Sequence, residues 1–272
     1  MNARVNAEST DANTAPGDAN TDSASIRRLE ELTLNAWPGL KRVVRDGWVA
    51  SLARGFTGRA NSVVPLDQGT LPPLEKVEFF ERLYAAHGLP ATFKLTTPCR
   101  PAGLEELLAA RGYRESRRAS VQVLHQLPRD VDDGAGAIEA RPGPWPAWIQ
   151  SVVSTRSLPP GDAATLLAIL AAIALPCRFV VSLDSSGVAA CGLGVLEGEW
   201  VGLYDITTRD DARRRGHAVR VVNSIMAWAR DNGASAAYLQ VMIDNAPAQA
   251  LYSKLGFRET YQYAYRTKRI EA

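Results

Sequence analysis

The residues with the clearest chemical potential in this chain of 272 lie in one stretch, 203–218, LYDITTRDDARRRGHA. It reads as an apolar strand, a short acidic turn and a basic, glycine-containing loop that opens a helix. A strand emptying into Arg213, Arg214, Arg215, Gly216, His217 and Ala218 aims several backbone N–H groups, and the positive end of a helix dipole, at one point. Such a point suits an anion. Gly216 has no Cβ, so the backbone there can approach a phosphate closely and take angles other residues resist. In the helix that follows, Val219, Val222, Met226 and Ala229 share one face, Val221, Ile225 and Trp228 broaden it, and Asn232-Gly233 ends it.

Arg-x-x-Gly-x-Ala between strand and helix, at Arg213, Gly216 and Ala218, resembles the acetyl-CoA pyrophosphate loop of the GNAT N-acetyltransferase superfamily. A second signature follows in the expected order. After an apolar strand over 236–243 come Asn245, then Tyr252, then Leu255-Gly256-Phe257. The joint resemblance covers roughly residues 137–267. It implies an α/β (α+β) GNAT acyl-CoA N-acyltransferase fold, a mixed, mostly antiparallel sheet with flanking helices. It also implies acetyl-CoA as cosubstrate and an amine of a small molecule, amino acid or peptide as acceptor.

Composition sets the frame. A hydrophobic fraction of 46% supports a sizeable core, and 272 residues suit two modest domains or one domain with a doubled core. With 31 basic against 29 acidic residues, the charge makes no electrostatic case for a nucleic-acid or membrane partner. Cys99, Cys177 and Cys191 are too scattered for a disulfide framework, and together with His87, His125 and His217 they show no metal-ligand spacing, so no metal is expected. Residues 1–24 carry almost nothing apolar and read as a disordered tail rather than a signal peptide. The longest apolar run, 163–175, is too short for the roughly 30 Å core of a bilayer. A soluble, cytoplasmic protein is expected, with a homodimer left open.

The segment 25–128 reads as helix 26–36, strands 43–52 and 61–66, helix 74–87, strand 91–96, helix 103–111 and strand 118–127. This order repeats that of the C-terminal half. His87-Gly88 matches Asn232-Gly233, and Gly112-Tyr113-Arg114-Glu115 matches Gly256-Phe257-Arg258-Glu259, at an offset of 144 to 145 residues. Where the second half has its basic loop, the first has Asp67-Gln68-Gly69-Thr70-Leu71-Pro72-Pro73, with two residues that offer no N–H. The first half is therefore expected to be a degenerate GNAT-like copy that does not bind CoA. An acidic, glycine-rich linker spans 129–136, and the catalytic GNAT domain spans 137–272. Within it, strand 138–141 precedes helices 146–155 and 163–175, a hairpin over 177–196, and strand 200–208. The connection Leu158-Pro159-Pro160-Gly161 lies over the acceptor site in this superfamily.

By the same resemblance, two neighbouring parallel strands, 200–208 and 236–243, splay apart. The free backbone over Ile206, Thr207 and Thr208 then pairs with the pantetheine arm, and Asn245 hydrogen-bonds the cofactor while also suiting a helix cap. Tyr252 stands where the family carries its general acid, and it would also serve as an aromatic packed on the sheet. For the general base, Asp205, Glu199 and Asp244 are all candidates; Asp205 is favoured because an acid in an apolar strand needs a reason. Strict alternation puts Leu203, Asp205 and Thr207 on one face and Tyr204 and Ile206 on the other. Tyr261, Tyr263 and Tyr265 share a face and either line the acceptor pocket or cover the sheet. Only 15 residues follow Phe257, too few for a closing hairpin, so a strand is missing or the N-terminal half supplies it. A second reading is a non-catalytic acyl-CoA-binding regulatory or scaffold module.

Overall fold

A computed structural model of the protein describes residues 23–129 and 137–269. The expected tail up to residue 22, and all of the expected linker but Arg129, lie outside the described residues. The first half runs α1 Ser23–Ala36, β1 Lys41–Arg45, β2 Trp48–Leu52, β3 Val63–Pro65, α2 Pro73–Ala85, β4 Ala91–Thr97, α3 Leu104–Ala110 and β5 Arg114–Leu124. The second runs β6 Ile138–Arg141, α4 Pro146–Thr155, α5 Pro160–Ala171, β7 Cys177–Asp184, β8 Gly187–Glu197, β9 Trp200–Thr208, α6 His217–Asp231, β10 Ala236–Met242, α7 Ala246–Lys254 and β11 Arg258–Lys268.

Two local corrections have simple causes. The strand expected over 43–52 is a hairpin, because Asp46 and Gly47 both take positive φ (45° and 81°) and turn β1 back on β2 with Arg45 opposite Trp48. Helix α5 begins earlier than expected, since Pro160 sits at its first turn, where a missing N–H costs nothing. The α4–α5 connection shrinks accordingly.

The strands form one 11-stranded sheet in the order β1-β2-β3-β4-β11-β5-β10-β9-β8-β7-β6. Its centre answers the question of the missing strand. β5, from the first half, pairs antiparallel with β10, with Ala237 opposite Leu124 and Met242 opposite Ala119. β11, from the second half, pairs antiparallel with β4, with Gln262 opposite Thr97 and Lys268 opposite Ala91. The two halves thus exchange their last strands, and no edge remains between them.

One core layer spans both halves: Ile26, Trp37 and Val121 pack in the same cluster as Trp148, Phe179, Tyr204 and Tyr263. On the other side of the sheet, α6 and α7 cover Val201, Leu203, Ala237 and Leu239. Gly192 and Gly194 let α6 seat closely on β8, because a Cβ at either would come within 2.4 Å of Ile206 or 2.3 Å of Ile225.

A buried polar bolt ties the exchange together. Lys94 Nζ on β4 lies 2.7 and 2.6 Å from the two carboxylate oxygens of Glu30 on α1. Tyr261 of β11 donates its phenol to Glu30 at 2.6 Å, and the ammonium sits 4.1 Å from the Tyr263 ring centroid. Burial pulls the Lys94 pKa down, and Glu30 opposes that shift. Replacing Glu30 by Leu should destabilise the protein by ~3–5 kcal/mol, because the buried ammonium loses its partner, whereas adding Lys94→Met should recover most of that loss. Urea unfolding of both variants beside the wild type measures the difference.

Candidate active site

The basic loop forms as its sequence suggests. Arg214 and Gly216 take positive φ (61° and 81°), and Gly216 caps the N-terminus of the 15-residue α6. Among the described residues, the N–H groups of residues 214–219 meet no backbone acceptor, so an open helix end faces outward. Arg213, Arg214 and Arg215 are exposed, with Arg213 tied only to exposed Asp210 at 2.6 Å, and Ala218 is half-buried behind them. Unsatisfied donors, a positive dipole end and solvent-facing arginines fit a pyrophosphate.

His217 does more than contribute an N–H. Its side chain is buried, with Nδ1 2.7 Å from Arg220 Nη2 and 2.9 Å from the Ser182 hydroxyl of β7. Guanidinium only donates, so Nδ1 accepts and the ring is neutral; burial, then Arg220, pulls its pKa down. Arg209 braces the loop's entry through Asp184 at 2.8 Å, Asp211 at 2.5 Å and the Val188 carbonyl at 2.8 Å. Ser182, Arg209 and Arg220 escaped sequence reasoning. Of these, only Arg220 carries a sequence signal, its i, i+3 spacing from His217.

The parallel pairing of β9 with β10 runs from Trp200 opposite Ala236 to Leu203 opposite Leu239 and stops there, although both strands continue. Beyond it, among the described residues, β9 pairs only with β8, leaving the backbone edge of Ile206, Thr207 and Thr208 free. At this divergence β9 bulges. Leu193 faces Tyr204 and Cys191 faces Thr207, so Asp205 and Ile206 share one opposing residue, and Asp205 takes φ 47°. The bulge breaks the expected alternation. Asp205 lies on the face of Tyr204 and Thr207, while Ile206 packs with Leu203 against α6.

There Asp205, its side chain 4% exposed, receives the Arg156 guanidinium from the end of α4 at 2.8 Å on Oδ1. Its Oδ2 is buried with no hydrogen-bond partner among the described residues. Glu199 precedes β9, so at ~3.3 Å per residue it stands roughly 20 Å from Asp205. Asp244 is exposed beyond β10. Tyr252 on α7 is buried, 5.8 Å from the Phe257 ring, and burial raises its pKa. Asn245 caps α7, accepting from the Ala248 N–H at 3.3 Å.

A cleft of about 480 Å³ opens on the Asp205 face. Phe56, Arg117, Arg156, Leu158, Asp162 and Tyr265 line it, joining loop 54–61 of the first half to the α4–α5 connection of the second. The tyrosine row divides its labour: Tyr265 lines the cleft, while Tyr261 and Tyr263 turn their phenols to Glu30 and Gln240.

In the first half, the loop at the position of the basic loop holds an anion of its own. The Asp46 carboxylate accepts from the Thr70 N–H at 2.8 Å, the Leu71 N–H at 2.8 Å and the Thr70 hydroxyl at 3.1 Å, with buried Lys76 Nζ at 3.1 Å. Gly69, at φ 66°, is required, since a Cβ there would stand 2.2 Å from Asp46 Oδ2. The bonds from Thr70 and Leu71 lead in depressing the Asp46 pKa far below the carboxylate range. That stabilisation is complete above the unfolded value of about 3.9 and is lost as pH falls through the lower folded value. Asp46→Asn should therefore lower the melting temperature at pH 7 and differ less from the wild type as acid protonates Asp46. Thermal scans from pH 7 to pH 2 measure this.

Comparison with known proteins follows the same geometry. Residues 23–266 match the family model described as probable histone acetyltransferase Rv0428c C-terminal. The chain is 28% identical over 249 residues to the uncharacterized N-acetyltransferase YobR of Bacillus subtilis (strain 168), covering 90% of this chain and 99% of that one. In fold it resembles a GCN5-related N-acetyltransferase from Kribbella flavida, with a TM-score of 0.65 at 16% identity over 90% of this chain and 96% of the other. It also resembles a tandem GNAT protein from the clavulanic acid biosynthesis pathway, with a TM-score of 0.60 at 12% identity over 90% and 88% of the two chains.

Proposed function

This chain belongs to the family of the Rv0428c C-terminal acetyltransferase domain and is a GNAT N-acetyltransferase, and from that premise we propose that it acetylates a primary amine by direct attack in a ternary complex with acetyl-CoA. In this reading residues 137–272 are the catalytic domain and residues 25–128 a degenerate copy that walls the acceptor cleft.

The observation that carries the reading is the bulge at Asp205. It sets a buried carboxylate oxygen, without a hydrogen-bond partner among the described residues, where β9 and β10 part, and Asp205 is tied there to Arg156 of the cleft lining. Acetyl-CoA supplies the activated thioester. The N–H groups of residues 214–219 and the side chains of Arg213, Arg214 and Arg215 hold its pyrophosphate, and the free edge at Ile206, Thr207 and Thr208 receives the pantetheine arm. Asn245, which caps α7, supports the cofactor from the end of β10. Asp205 Oδ2 takes a proton from the entering ammonium, leaving a neutral nitrogen able to attack. Arg156 fixes the direction of that carboxylate. Tyr252, kept protonated by burial, donates to the departing sulfur. No covalent enzyme intermediate is called for, since burial pushes the Cys191 thiol up to about 11, far from thiolate at neutral pH.

Calorimetric titration should find about one acetyl-CoA site per chain, lost in an Arg213→Ala, Gly216→Glu variant because a side chain at the left-handed cap angle of residue 216 is strained and a carboxylate there repels the pyrophosphate. Tyr252→Phe and Asp205→Asn should each lower kcat by ~10²–10⁴-fold while acetyl-CoA affinity holds. Unchanged turnover in both would sink these assignments, and binding without turnover of any amine would favour a non-catalytic acyl-CoA-binding module.

A further inference from the structure

Next to the cleft-lining residues Thr57, Gly58 and Asn61 stands a cation, Arg59, that has no ion pair among the described residues. Arg59, on the first-half loop that forms one wall, is half-buried, with its Cζ 4.9 Å from the Trp37 ring and 5.3 Å from the Tyr204 ring. Trp37 and Tyr204 are themselves stacked at 5.8 Å. Among the described residues the Arg59 side chain makes no ion pair and no hydrogen bond. The buried Glu30 carboxylate is already engaged by Lys94 and Tyr261. The charge is nonetheless felt. Burial dominates the titration of Tyr204, Tyr263 and Lys94, and on top of it Arg59 favours ionised phenols and disfavours the Lys94 ammonium.

Aromatic faces hold a guanidinium flat but leave its N–H donors at the rim free. Five such donors, on the loop whose Thr57, Gly58 and Asn61 line the cleft, suit a planar, bidentate anion. The Arg59 guanidinium lies against Tyr204, and the next residue of β9 is Asp205 with its open oxygen. A second cation, Arg117, lines the cleft and is exposed, likewise without an ion pair among the described residues. Arg156 is neutralised by Asp205, leaving Asp162 as the remaining acid among the lining residues.

Resting on the acetyltransferase reading, we infer that the acceptor carries a carboxylate beside its amine, and that Arg59 receives the carboxylate while the amine meets Asp205. A free amino acid has this chemistry. A lysine-rich tail, the kind of substrate that the family's description suggests, does not: it would bring further cations to a wall that already holds two without partners.

The test sets free amino acids against their carboxamides, and against a lysine-rich peptide, following release of the CoA thiol. The carboxylates should be favoured by roughly 10- to 100-fold in kcat/KM, the range of one charge-assisted hydrogen-bonded pair. Arg59→Gln should erase that preference through KM, with kcat and acetyl-CoA affinity kept, and Arg59→Lys should restore part of it. Equal use of the carboxamides, preference for the lysine-rich peptide, or an equal loss on both acceptor types in Arg59→Gln would overturn the inference.

Tryptophan fluorescence gives a readout independent of turnover. N-acetyl amino acids should perturb the emission of Trp37, their carboxamides should not, and the response should vanish in Arg59→Gln. Absence of any such difference overturns the inference even if acetyl-CoA binds. Failure to bind acetyl-CoA overturns the acetyltransferase reading alone, since the carboxylate titration still reports on Arg59.

Discussion

A strand that leaves the middle of a sheet exposes a row of N–H and C=O groups that must be paired, and β10 meets this demand with a strand from the other half of the chain. Almost everything at the candidate site follows from that pairing. Because β5 lies against β10 and β11 lies between β5 and β4, the sheet is continuous across both halves. Helix α1 and loop 54–61 of the first half are thereby carried over the face on which Asp205 sits. The single core layer that joins Trp37 to Tyr204 is the energetic side of the same fact. A cleft walled by Phe56 on one side and Leu158 on the other cannot form from either half alone.

The strand exchange brings a polar cost into the core, and the protein meets it with closed sets of partners. Glu30, Lys94 and Tyr261 satisfy one another at the exchange. Tyr204 and Tyr238 meet phenol to phenol at 2.9 Å where β9 and β10 still pair, and Gly202 keeps that contact open, since a Cβ there would stand 2.6 Å from both rings. Against this background the open valences stand out. Asp205 Oδ2, joined to the cleft lining through Arg156, and the Arg59 guanidinium, on the loop whose Thr57, Gly58 and Asn61 line the cleft, are one negative and one positive, which is the polarity a zwitterionic guest would complete.

The two strand–loop–helix units show how one backbone plan serves opposite ends. In the second half the loop before α6 keeps its N–H groups outward, and its arginines wait in solvent. In the first half the loop before α2 turns the same kind of donors onto the Asp46 carboxylate, with Lys76 beside it. An internal anion there makes an external one redundant. The two prolines argue against phosphate binding; the hairpin that delivers Asp46 is signalled by Asp46-Gly47, a turn pair that a reading of residues 43–52 as one strand passes over.

What the sequence determined by itself is local. Gly216 at the mouth of α6, the basic run before it and the Asn245 cap of α7 lie within one or two turns of the chain, where glycine's angles and unsatisfied helix ends dictate the outcome. The strands 138–141 and 200–208 and helix 146–155 follow from periodicity and punctuation alone. What only the tertiary structure decided is non-local: that β5 fills the slot beside β10, that a bulge turns Asp205 onto the face of Tyr204, and that Arg59 meets the second half's aromatic residues. Each depends on register between segments that are distant along the chain. A period of two says nothing about which partner a strand will choose, or where one extra residue will reverse its faces.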